Sequence, residues 1–421
     1  MAEGEARRPC RGCAASPQGA MRSMDAVRIK RFRALVFTLV AVATAASAET
    51  VYYVAPAANA AGSGASEAAP ALYTRNNLWK QVRRDLKKQP VTVRFLVGQY
   101  IDGPLNLIDI GHPAHRLVLE GDPSGKSRLM AINMDGTPSS GLFLNNAQNI
   151  TVRHLSFTGP GTQDYLTHVQ GRYIAFENCA WTGLNAIKYG AAGASGNQTH
   201  HVLYRNCTFA RNGLHPGAHM INNAHGPQHI YIIDCTFEDC GGDYVRFRDR
   251  VDYCVVQGCT FRSSGMWPGA KPIHACFISI PVFGQSNPGN ESFGTHFLFK
   301  NNAFVYAGRQ AAGPQVPIIF LHSGYDPQGR HHLMTRQEGD ILEHGPPAER
   351  KALLKRNCNL DMDEVHVFNN TSKNVIIEAA FSSRPAFGAE SKGWAEEAPV
   401  FDLFNHTPED PDWFVEGKQQ P

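Results

Sequence analysis

The hydrophobic pattern of the chain repeats one short phrase, in which apolar and polar residues alternate and then stop at a bend. Each copy has an alternating run typical of a β-strand, then Asn, Asp or Gly, a small Cys and an aromatic residue. The clearest copies are IAFENCAW (174–181), VLYRNCTF (202–209), IYIIDCTF (230–237) and CVVQGCTF (254–261). Weaker copies are ITVRHLSF (150–157), FLFKNNAF (297–304) and VHVFNNTS (365–372).

The spacing of the aromatic residue predicts the architecture. From Phe157 to Phe304 it recurs in steps of 24, 28, 28, 24 and 43 residues, a nearly fixed period with loops inserted. The leucine framework of a leucine-rich repeat is missing, and no helical segment fits between copies. We therefore predict an all-β fold, a right-handed parallel β-helix whose turns stack about 4.8 Å apart. The Cys and Phe/Trp positions then form internal ladders.

Patterns near the two ends predict caps for this solenoid. The segment 77–88 places Leu78, Val82 and Leu86 at helical spacing, so we expect an amphipathic helix over the N-terminal end of the core. The tail after Pro385 has aromatic residues but no repeat, which indicates an irregular C-terminal cap. The expected divisions are 1–48 (upstream extension and signal peptide), 49–90 (strand and capping helix), 91–324 (β-helix), 325–364 (inserted lobe) and 365–421 (last turn and cap).

A secretory signal peptide is predicted before Ala48. Basic residues precede the apolar run 34–46, which ends in Ala46-Ser47-Ala48, and this order is typical of export. We expect a secreted or periplasmic protein with no membrane span, because no later apolar segment is long enough.

The charge of the remaining chain argues against nucleic acid as a partner. The whole chain has a formal net charge of +3, but residues 1–48 carry eight Lys or Arg and three Asp or Glu. The rest has 32 basic and 34 acidic side chains, a net charge of −2. The basic excess therefore belongs to the leader.

Eight cysteines remain after the leader, and half of them recur at one place in successive turns: Cys179, Cys207, Cys235 and Cys259. A small buried residue packs well there, so stacked free thiols are favoured over disulfides. The spacings of Cys235 with Cys240 and of Cys254 with Cys259 resemble paired metal ligands. Since half of those thiols belong to the ladder, we assign no metal site to them.

A second strand follows the aromatic residue in each turn, and these strands should stack into one parallel sheet. They are DYLTHV (164–169), NAIKYG (185–190), AHMINNA (218–224), DYVRFRD (243–249), HACFISI (274–280) and PIIFLHS (317–323).

Alternation predicts which side chains of these strands face the solvent. In DYVRFRD, Val245 and Phe247 should point inward, which leaves Tyr244, Arg246 and Arg248 on the outer face. In NAIKYG the same rule points Ile187 inward and Lys188 outward. The other strands contribute His219, Asn222, His274 and His322.

The outer face therefore gathers cationic and polar side chains although the mature chain is not basic. Charged residues on an exposed sheet are more often simply solvated. Arg246 and Arg248, however, lie about 7 Å apart on one strand and repel each other unless an anion covers them. We predict an acidic polysaccharide as the substrate, with Asn222, His274 and His322 as further binding residues.

The chemistry expected on such a polymer is β-elimination. The uronate carboxylate must be neutralised, the C5 proton removed and the leaving oxygen protonated. We assign the first task to Arg246 and Arg248, the second to Lys188 or His219, and the third to Tyr244. Guanidinium charge nearby would lower the pKa of Lys188.

The motifs NAIKYG followed by YRNCTF, and DYVRFRDR followed by VQGCTF, resemble the β-helix polysaccharide lyases of the alginate lyase and chondroitinase B type. The opening TVRFLVGQY (92–100) is similar to the first turn of many pectate-lyase-like proteins. The resemblance covers about residues 51–320. It implies a Lys as base, an Arg that assists as acid and a calcium ion that neutralises the carboxylate.

Two features of this chain modify that expectation. One turn separates Lys188 from Arg246, so these residues should be about 10 Å apart, and this favours His219, which is one turn from Arg246. For calcium, Asp243 or Asp249 with Asn222 are the available ligands, and no full metal site is assigned.

Two alternatives to a lyase stay open. A glycoside hydrolase would use two carboxylates, for which Asp164, Asp243, Asp249 and Glu238 are available, although the paired-Asp and Gly-His-Gly motifs of polygalacturonases are absent. Asp243 and Asp249 could instead pair with the arginines. A non-catalytic glycan-binding protein would use the same face without a base. We expect a monomer in each case.

Overall fold

The computed structural model describes residues 49–133, 135–159, 165–185, 187, 189–214, 217–267, 277–282, 294, 296–307, 319–323, 365–368 and 371–373. For the strands at 319–323, 365–368 and 371–373, only the course of the backbone is described. The expected signal peptide (1–48), the lobe 325–364 and the C-terminal cap lie outside these residues and stay predictions.

Sheet 1 is a parallel stack in which each strand pairs with the corresponding strand of the next turn. Its strands are Thr50–Ala55, Val91–Phe95, Leu117–Glu120, the second halves of Leu142–Arg153 and Tyr165–Glu177, His200–Arg205, Gln228–Ile233, Asp252–Gln257, Phe297–Lys300 and Val365–Phe368. The short strand Ala71–Leu72 also pairs with Thr50–Ala55.

Sheet 2 is a second parallel stack, and it contains strands from five of the six segments expected from the sequence. Its strands are Leu105–Ile108, the first halves of Leu142–Arg153 and Tyr165–Glu177, Gly190–Ala194, Ile221–Ala224, Val245–Arg248, Ile278–Val282 and Ile319–Ser323.

Sheet 3 completes the coil with nine parallel strands. They are Gly98–Tyr100, Ser127–Met130, Ser156–Thr158, Ala180–Thr182, Thr208–Asn212, Thr236–Cys240, Thr260–Ser263, Ala303–Tyr306 and Thr371–Lys373. Three parallel sheets that the chain visits in turn are the parallel β-helix predicted from the repeat.

The interior contains the two predicted ladders. The aromatic rings of sheet 3 stack with centroids 4.5–5.0 Å apart, in the order Phe157, Trp181, Phe209, Phe237, Phe261 and Phe304. The four ladder cysteines are free and buried, as expected. The thiol of Cys207 donates to the carbonyl oxygen of Phe176 over 3.4 Å, and burial raises its pKa well above the usual value. An inert, space-filling role for these thiols follows.

Polar bend residues let the chain turn between sheets 1 and 3. Asn178, Asn206, Asp234 and Asn301 have φ of 52–57°, in the left-handed region that Asn and Asp tolerate better than other side chains. This explains why the repeated phrase has Asn, Asp or Gly at that place. A second left-handed column lies at the start of the strands of sheet 1.

That second column is a stack of half-buried rings, each with φ of 56–60°. It consists of Tyr173, His201, His229, Tyr253 and His296, with centroids 4.3–4.9 Å apart. Burial lowers the pKa of His201 to about 2 and that of His229 to about 4, so both imidazoles are neutral at neutral pH.

The N-terminal helix is confirmed, with bounds Asn76–Leu86 in place of the expected 77–88. Leu78, Trp79, Val82 and Leu86 are buried in the same core as the strands. A short 3₁₀ helix covers Ala57–Asn59. Within the described ranges, no helix has the length and apolar character needed to cross a membrane.

Candidate functional site

One row of outward positions crosses sheet 2, and strand pairing determines its members. This outer row consists of Asn106, Phe143, His168, Gly193, Asn222, Arg246 and Ser279. The neighbouring positions Val245 and Phe247 are buried in the core. The expected outward orientation of Arg246 and Arg248 is therefore confirmed.

The expected outward orientation of Tyr244 is wrong. Its side chain is only 2 % exposed, its hydroxyl donates to the carbonyl oxygen of Arg262 over 2.8 Å, and its ring meets Phe277 edge-on at 5.0 Å. Strand Val245–Arg248 begins one residue later, so the alternation of the strand does not extend to Tyr244. Burial raises the pKa of Tyr244 far above the usual value. A hydroxyl in this state cannot protonate a leaving group on the outer face.

A buried carboxylate holds Arg246 in place. Nη2 and Nε of Arg246 lie 3.0 and 3.2 Å from Oδ2 of Asp243, and the hydroxyl of Ser279 donates to the same oxygen over 2.6 Å. The Asp243 side chain is 6 % exposed, whereas that of Arg246 is 17 % exposed. The guanidinium is thus fixed by a group beneath it and still reaches the surface.

His219 lies beside this ion pair but below the surface. Nδ1 of His219 is 3.7 Å from Oδ2 of Asp243, and the side chain is 1 % exposed. Neither ring nitrogen has a hydrogen-bond partner within the described part of the chain. Burial, followed by the charge of Arg246, lowers its pKa to about 3. The imidazole is neutral, as a base must be, but a substrate on the outer face cannot contact it.

Asn222 lies one strand from Arg246, its partner in the pairing register, and its side chain is buried. Its Nδ2 donates to the hydroxyl of Tyr165 over 3.0 Å, and its Oδ1 has no hydrogen-bond partner within the described residues. A buried, unpaired amide oxygen is costly unless a ligand donor or water satisfies it. The binding role expected for Asn222 stays a prediction.

The strand expected at NAIKYG (185–190) is shifted towards the C-terminus and covers Gly190–Ala194. The ring of Tyr165 lies over this strand, and a Cβ at Gly190 or Gly193 would be only 2.9 or 2.7 Å from it. Small residues are thus required where the ring packs, which the alternation pattern alone did not indicate. Ile187 is buried, as expected.

An aromatic platform, formed by Phe143, Tyr165 and His168, occupies the outer face next to Asn222. The ring of His168 stacks on Tyr165 at 4.6 Å and meets Phe143 edge-on at 5.7 Å. All three side chains are half-buried. Burial lowers the pKa of His168 to about 4, so its ring is uncharged at neutral pH.

Sequence reasoning missed this platform, although the signal was present. In LFLNN (142–146), alternation already points Phe143 outward between the inward Leu142 and Leu144. The outer face was predicted from its cationic side chains, and these uncharged rings were therefore not included.

Three predicted residues cannot be assigned a place in the site. Lys188 and His274 lie outside the described residues. His322 belongs to strand Ile319–Ser323, where the backbone pairs it with Pro281. The roles expected for these three side chains stay predictions.

The carboxylates expected for hydrolysis or for calcium are engaged elsewhere. Asp249 contacts Nδ1 of His225 at 3.1 Å and Nε of Arg250 at 2.9 Å. Glu238 belongs to sheet 3 and pairs with Arg262 at 3.3 Å. Asp164 lies outside the described residues.

A calcium site at the expected ligands does not fit this arrangement. Arg246 and Ser279 both bond Oδ2 of Asp243, and Arg250 bonds both oxygens of Asp249, so hydrogen-bond donors compete with calcium for these carboxylates. Within the described ranges, no group of three or more His, Cys, Asp or Glu could hold a metal ion. Calcium stays an implication of the family resemblance alone.

Comparisons with known proteins add little beyond the fold. No protein-family model matches the chain, and no curated protein matches it. A pectin methylesterase structure in complex with a hexasaccharide is 8% identical with a TM-score of 0.35, over 62% of this chain and 91% of that one. Pectate lyase Pel9A is 12% identical with a TM-score of 0.30, over 66% and 70%.

A PL6-family polysaccharide lyase from Pseudopedobacter saltans is 10% identical with a TM-score of 0.28, over 70% of this chain and 91% of that one. The similar structures thus include polysaccharide lyases, the class that the sequence motifs resemble. At these TM-scores the likeness carries no argument about activity. The β-helix assignment follows from the strand pairings described above.

Proposed function

We propose that the protein binds an acidic polysaccharide across the outer face of sheet 2 and cleaves it by β-elimination. The observation that carries this proposal is the outer row itself, in which Arg246 and Asn222 lie in line with the aromatic platform. His168 and Arg246 are three strands apart, roughly 14 Å at the strand spacing of a sheet. An extended polymer can meet both groups at once.

The residue types in the row match the parts of a uronate polymer. The apolar face of a sugar ring packs against aromatic rings, here those of Phe143, Tyr165 and His168. A guanidinium binds a carboxylate with directed, charge-assisted hydrogen bonds. Substrates without a carboxylate would leave Arg246 without its ligand.

The elimination needs three functions, and we assign each of them to residues of this chain. Arg246, with Arg248 on the same strand, stabilises the charge that develops on the carboxylate when the C5 proton leaves. Lys188 is the proposed base, because His219 is buried. As the C4–O bond breaks and the C4=C5 double bond forms, the departing oxygen takes a proton. The hydroxyl of Tyr165 is the proposed donor, since it lies on the outer face and Tyr244 does not.

The proposal is tested with purified protein and polymers of galacturonate, mannuronate, guluronate and glucuronate. The expected result is an increase in ultraviolet absorbance from unsaturated uronate ends, in step with new reducing ends. Reducing ends without absorbance would show a hydrolase and overturn the elimination. Binding without either product would leave the glycan-binding alternative and exclude catalysis.

A further inference from the structure

A groove of about 580 Å³ lies where sheet 2 turns into sheet 1, beyond the outer row. In most turns one strand ends in sheet 2 and a new strand begins in sheet 1. Strands Leu142–Arg153 and Tyr165–Glu177 instead continue from one sheet into the other without interruption. The groove is open along these two strands and reaches the turn at 195–199.

A β-bulge shapes the floor of the groove. Gln170 pairs with Asn145 and Gly171 with Ala147, which leaves Asn146 unpaired with φ of 48°. A bulge of this kind redirects the side chain of the extra residue. At the bulge the two strands lie so close together that only glycine fits, because a Cβ at Gly171 would be 2.2 Å from the carbonyl oxygen of Ala147.

The lining is rich in side-chain amides, which both donate and accept hydrogen bonds. They belong to Asn145, Asn146, Gln148, Gln170, Asn197 and Gln198. Amides of this kind suit ligands with many hydroxyl groups, because each hydroxyl also donates and accepts.

The charged groups of the lining are engaged within the groove. Nδ2 of Asn146 donates to Oδ1 of Asp109 over 2.7 Å. Nε and Nη2 of Arg172 donate to Oε1 of Gln148 over 3.0 and 2.8 Å. The two formal charges cancel, so the groove offers a carboxylate little electrostatic gain.

Ser195 links the groove to the aromatic platform. Its hydroxyl lies 2.8 Å from Nε2 of His168 and accepts from Nε2 of Gln170 over 3.3 Å. Along the strands, the groove begins two residues beyond the outer row, about 7 Å away. A sugar in the groove and a sugar on the platform can therefore belong to one oligosaccharide.

We infer that this groove is a subsite for an uncharged, hydroxyl-rich sugar unit. The substrate is then a heteropolysaccharide in which uronate units alternate with neutral sugars, and not a homopolymer of uronate. This inference rests on the proposed function, which supplies the neighbouring uronate site at Arg246.

The test compares two oligosaccharides of equal length by titration calorimetry, one of uronate only and one with uronate and neutral hexose in alternation. We expect the alternating oligosaccharide to bind about tenfold more tightly than the uronate oligosaccharide. This difference corresponds to the free energy of one or two additional hydrogen bonds. The double variant Gln170→Ala/Gln198→Ala should lose this advantage and keep the affinity for the uronate homo-oligomer. Gln99→Ala, an exposed Gln on a strand of sheet 3, is the matched control and should change neither affinity.

The outcomes separate the two claims. Equal affinities for both oligosaccharides, or an equal loss of both in the double variant, would overturn the neutral subsite while the uronate site stands. If neither oligosaccharide binds, the proposed function and the subsite are both overturned.

Discussion

The outer faces of sheets 1 and 2 have the same backbone geometry but use charge in opposite ways. On sheet 1, one row alternates in sign from turn to turn: Arg94, Glu120, Arg153, Glu177 and Arg205. Glu120 binds Arg94 and Arg153 at 2.7 Å on each side, and Glu177 binds Arg205 at 2.6 Å. Burial raises the pKa of Glu120, but the two guanidinium groups outweigh it and keep the pKa below its usual value.

On sheet 2, the neighbours of Arg246 in the adjacent turns are the neutral residues Asn222 and Ser279. Its carboxylate partner, Asp243, comes from its own turn and lies beneath it. A row that alternates in sign neutralises itself and favours no ligand. Arg246 and Arg248 face outward on one strand, and their neighbours in the adjacent turns are neutral. Such guanidinium groups are instead suited to an anionic ligand.

The largest effect is expected from Arg246→Ala. Loss of the guanidinium should weaken the binding of acidic oligosaccharides about 100-fold, because a directed charge pair is removed. Arg153→Ala on sheet 1 is the matched control and should leave the affinity within about twofold, since an exposed ion pair contributes little. Titration calorimetry measures both values.

Arg246→Ala also removes the positive charge that balances the buried Asp243, which should lower the thermal stability. The double variant Arg246→Ala/Asp243→Ala separates the two effects. It should recover stability without recovering affinity. Recovery of binding in the double variant would show that the loss came from misfolding and not from the missing guanidinium.

A smaller effect is expected from Phe143→Ala. Loss of the ring removes one stacking surface of the aromatic platform and should weaken oligosaccharide binding about tenfold, which corresponds to 1–2 kcal/mol. Phe143→Trp keeps an aromatic face and should retain most of the affinity. Tyr53→Ala, a half-buried ring on a strand of sheet 1, is the control. An equal loss in Tyr53→Ala would remove the distinction between the two faces.

The stability of the fold should fall as the pH is lowered below about 6.5, the usual pKa of histidine. In the folded state burial holds the pKa of His201 near 2 and that of His229 near 4. Between pH 6.5 and 4 the unfolded chain therefore takes up protons that the folded chain does not, and this favours unfolding. Urea titrations at pH 7 and pH 5 measure the change.

The double variant His201→Phe/His229→Phe keeps five rings in the stack and removes the two imidazoles whose pKa is lowered by burial. Its pH dependence in this range should be weaker than that of the wild type. This account would be contradicted if the wild-type stability rose on acidification. It would also be contradicted if the stability of the variant depended on pH as steeply as that of the wild type.

The smallest effect is expected from Glu120→Gln. The change removes the shared carboxylate between Arg94 and Arg153 and should lower the free energy of unfolding by about 1 kcal/mol, because all three groups are partly exposed. Oligosaccharide affinity should not change. A tenfold loss of oligosaccharide affinity would show that the ligand binds on sheet 1 and not on sheet 2.

The fold was predictable because several different features of the repeated phrase specify the same structure. The bend residues adopt left-handed φ, the aromatic residues stack in register, and the small cysteines fill a buried column. Repetition made each signal visible several times. The helix at 76–86 was also predictable, because its apolar residues follow the helical period.

The site was predictable only where a residue lies inside a regular strand. Alternation placed Arg246 and Arg248 correctly, but it failed at Tyr244, which lies one residue outside the strand and turns inward. It also misplaced the strand after Ile187, because the packing of Tyr165 over Gly190 and Gly193 depends on contacts between turns. Burial of His219 depends on such contacts too, and no local pattern indicates it.

The central claim is that an acidic oligosaccharide lies across the outer face of sheet 2. A crystal structure of the protein with a bound uronate oligosaccharide tests it most directly. We expect a carboxylate within hydrogen-bonding distance of Arg246 and a sugar ring over Phe143 or His168. An oligosaccharide bound on sheet 1 or sheet 3, with the outer row of sheet 2 uncovered, would contradict the account.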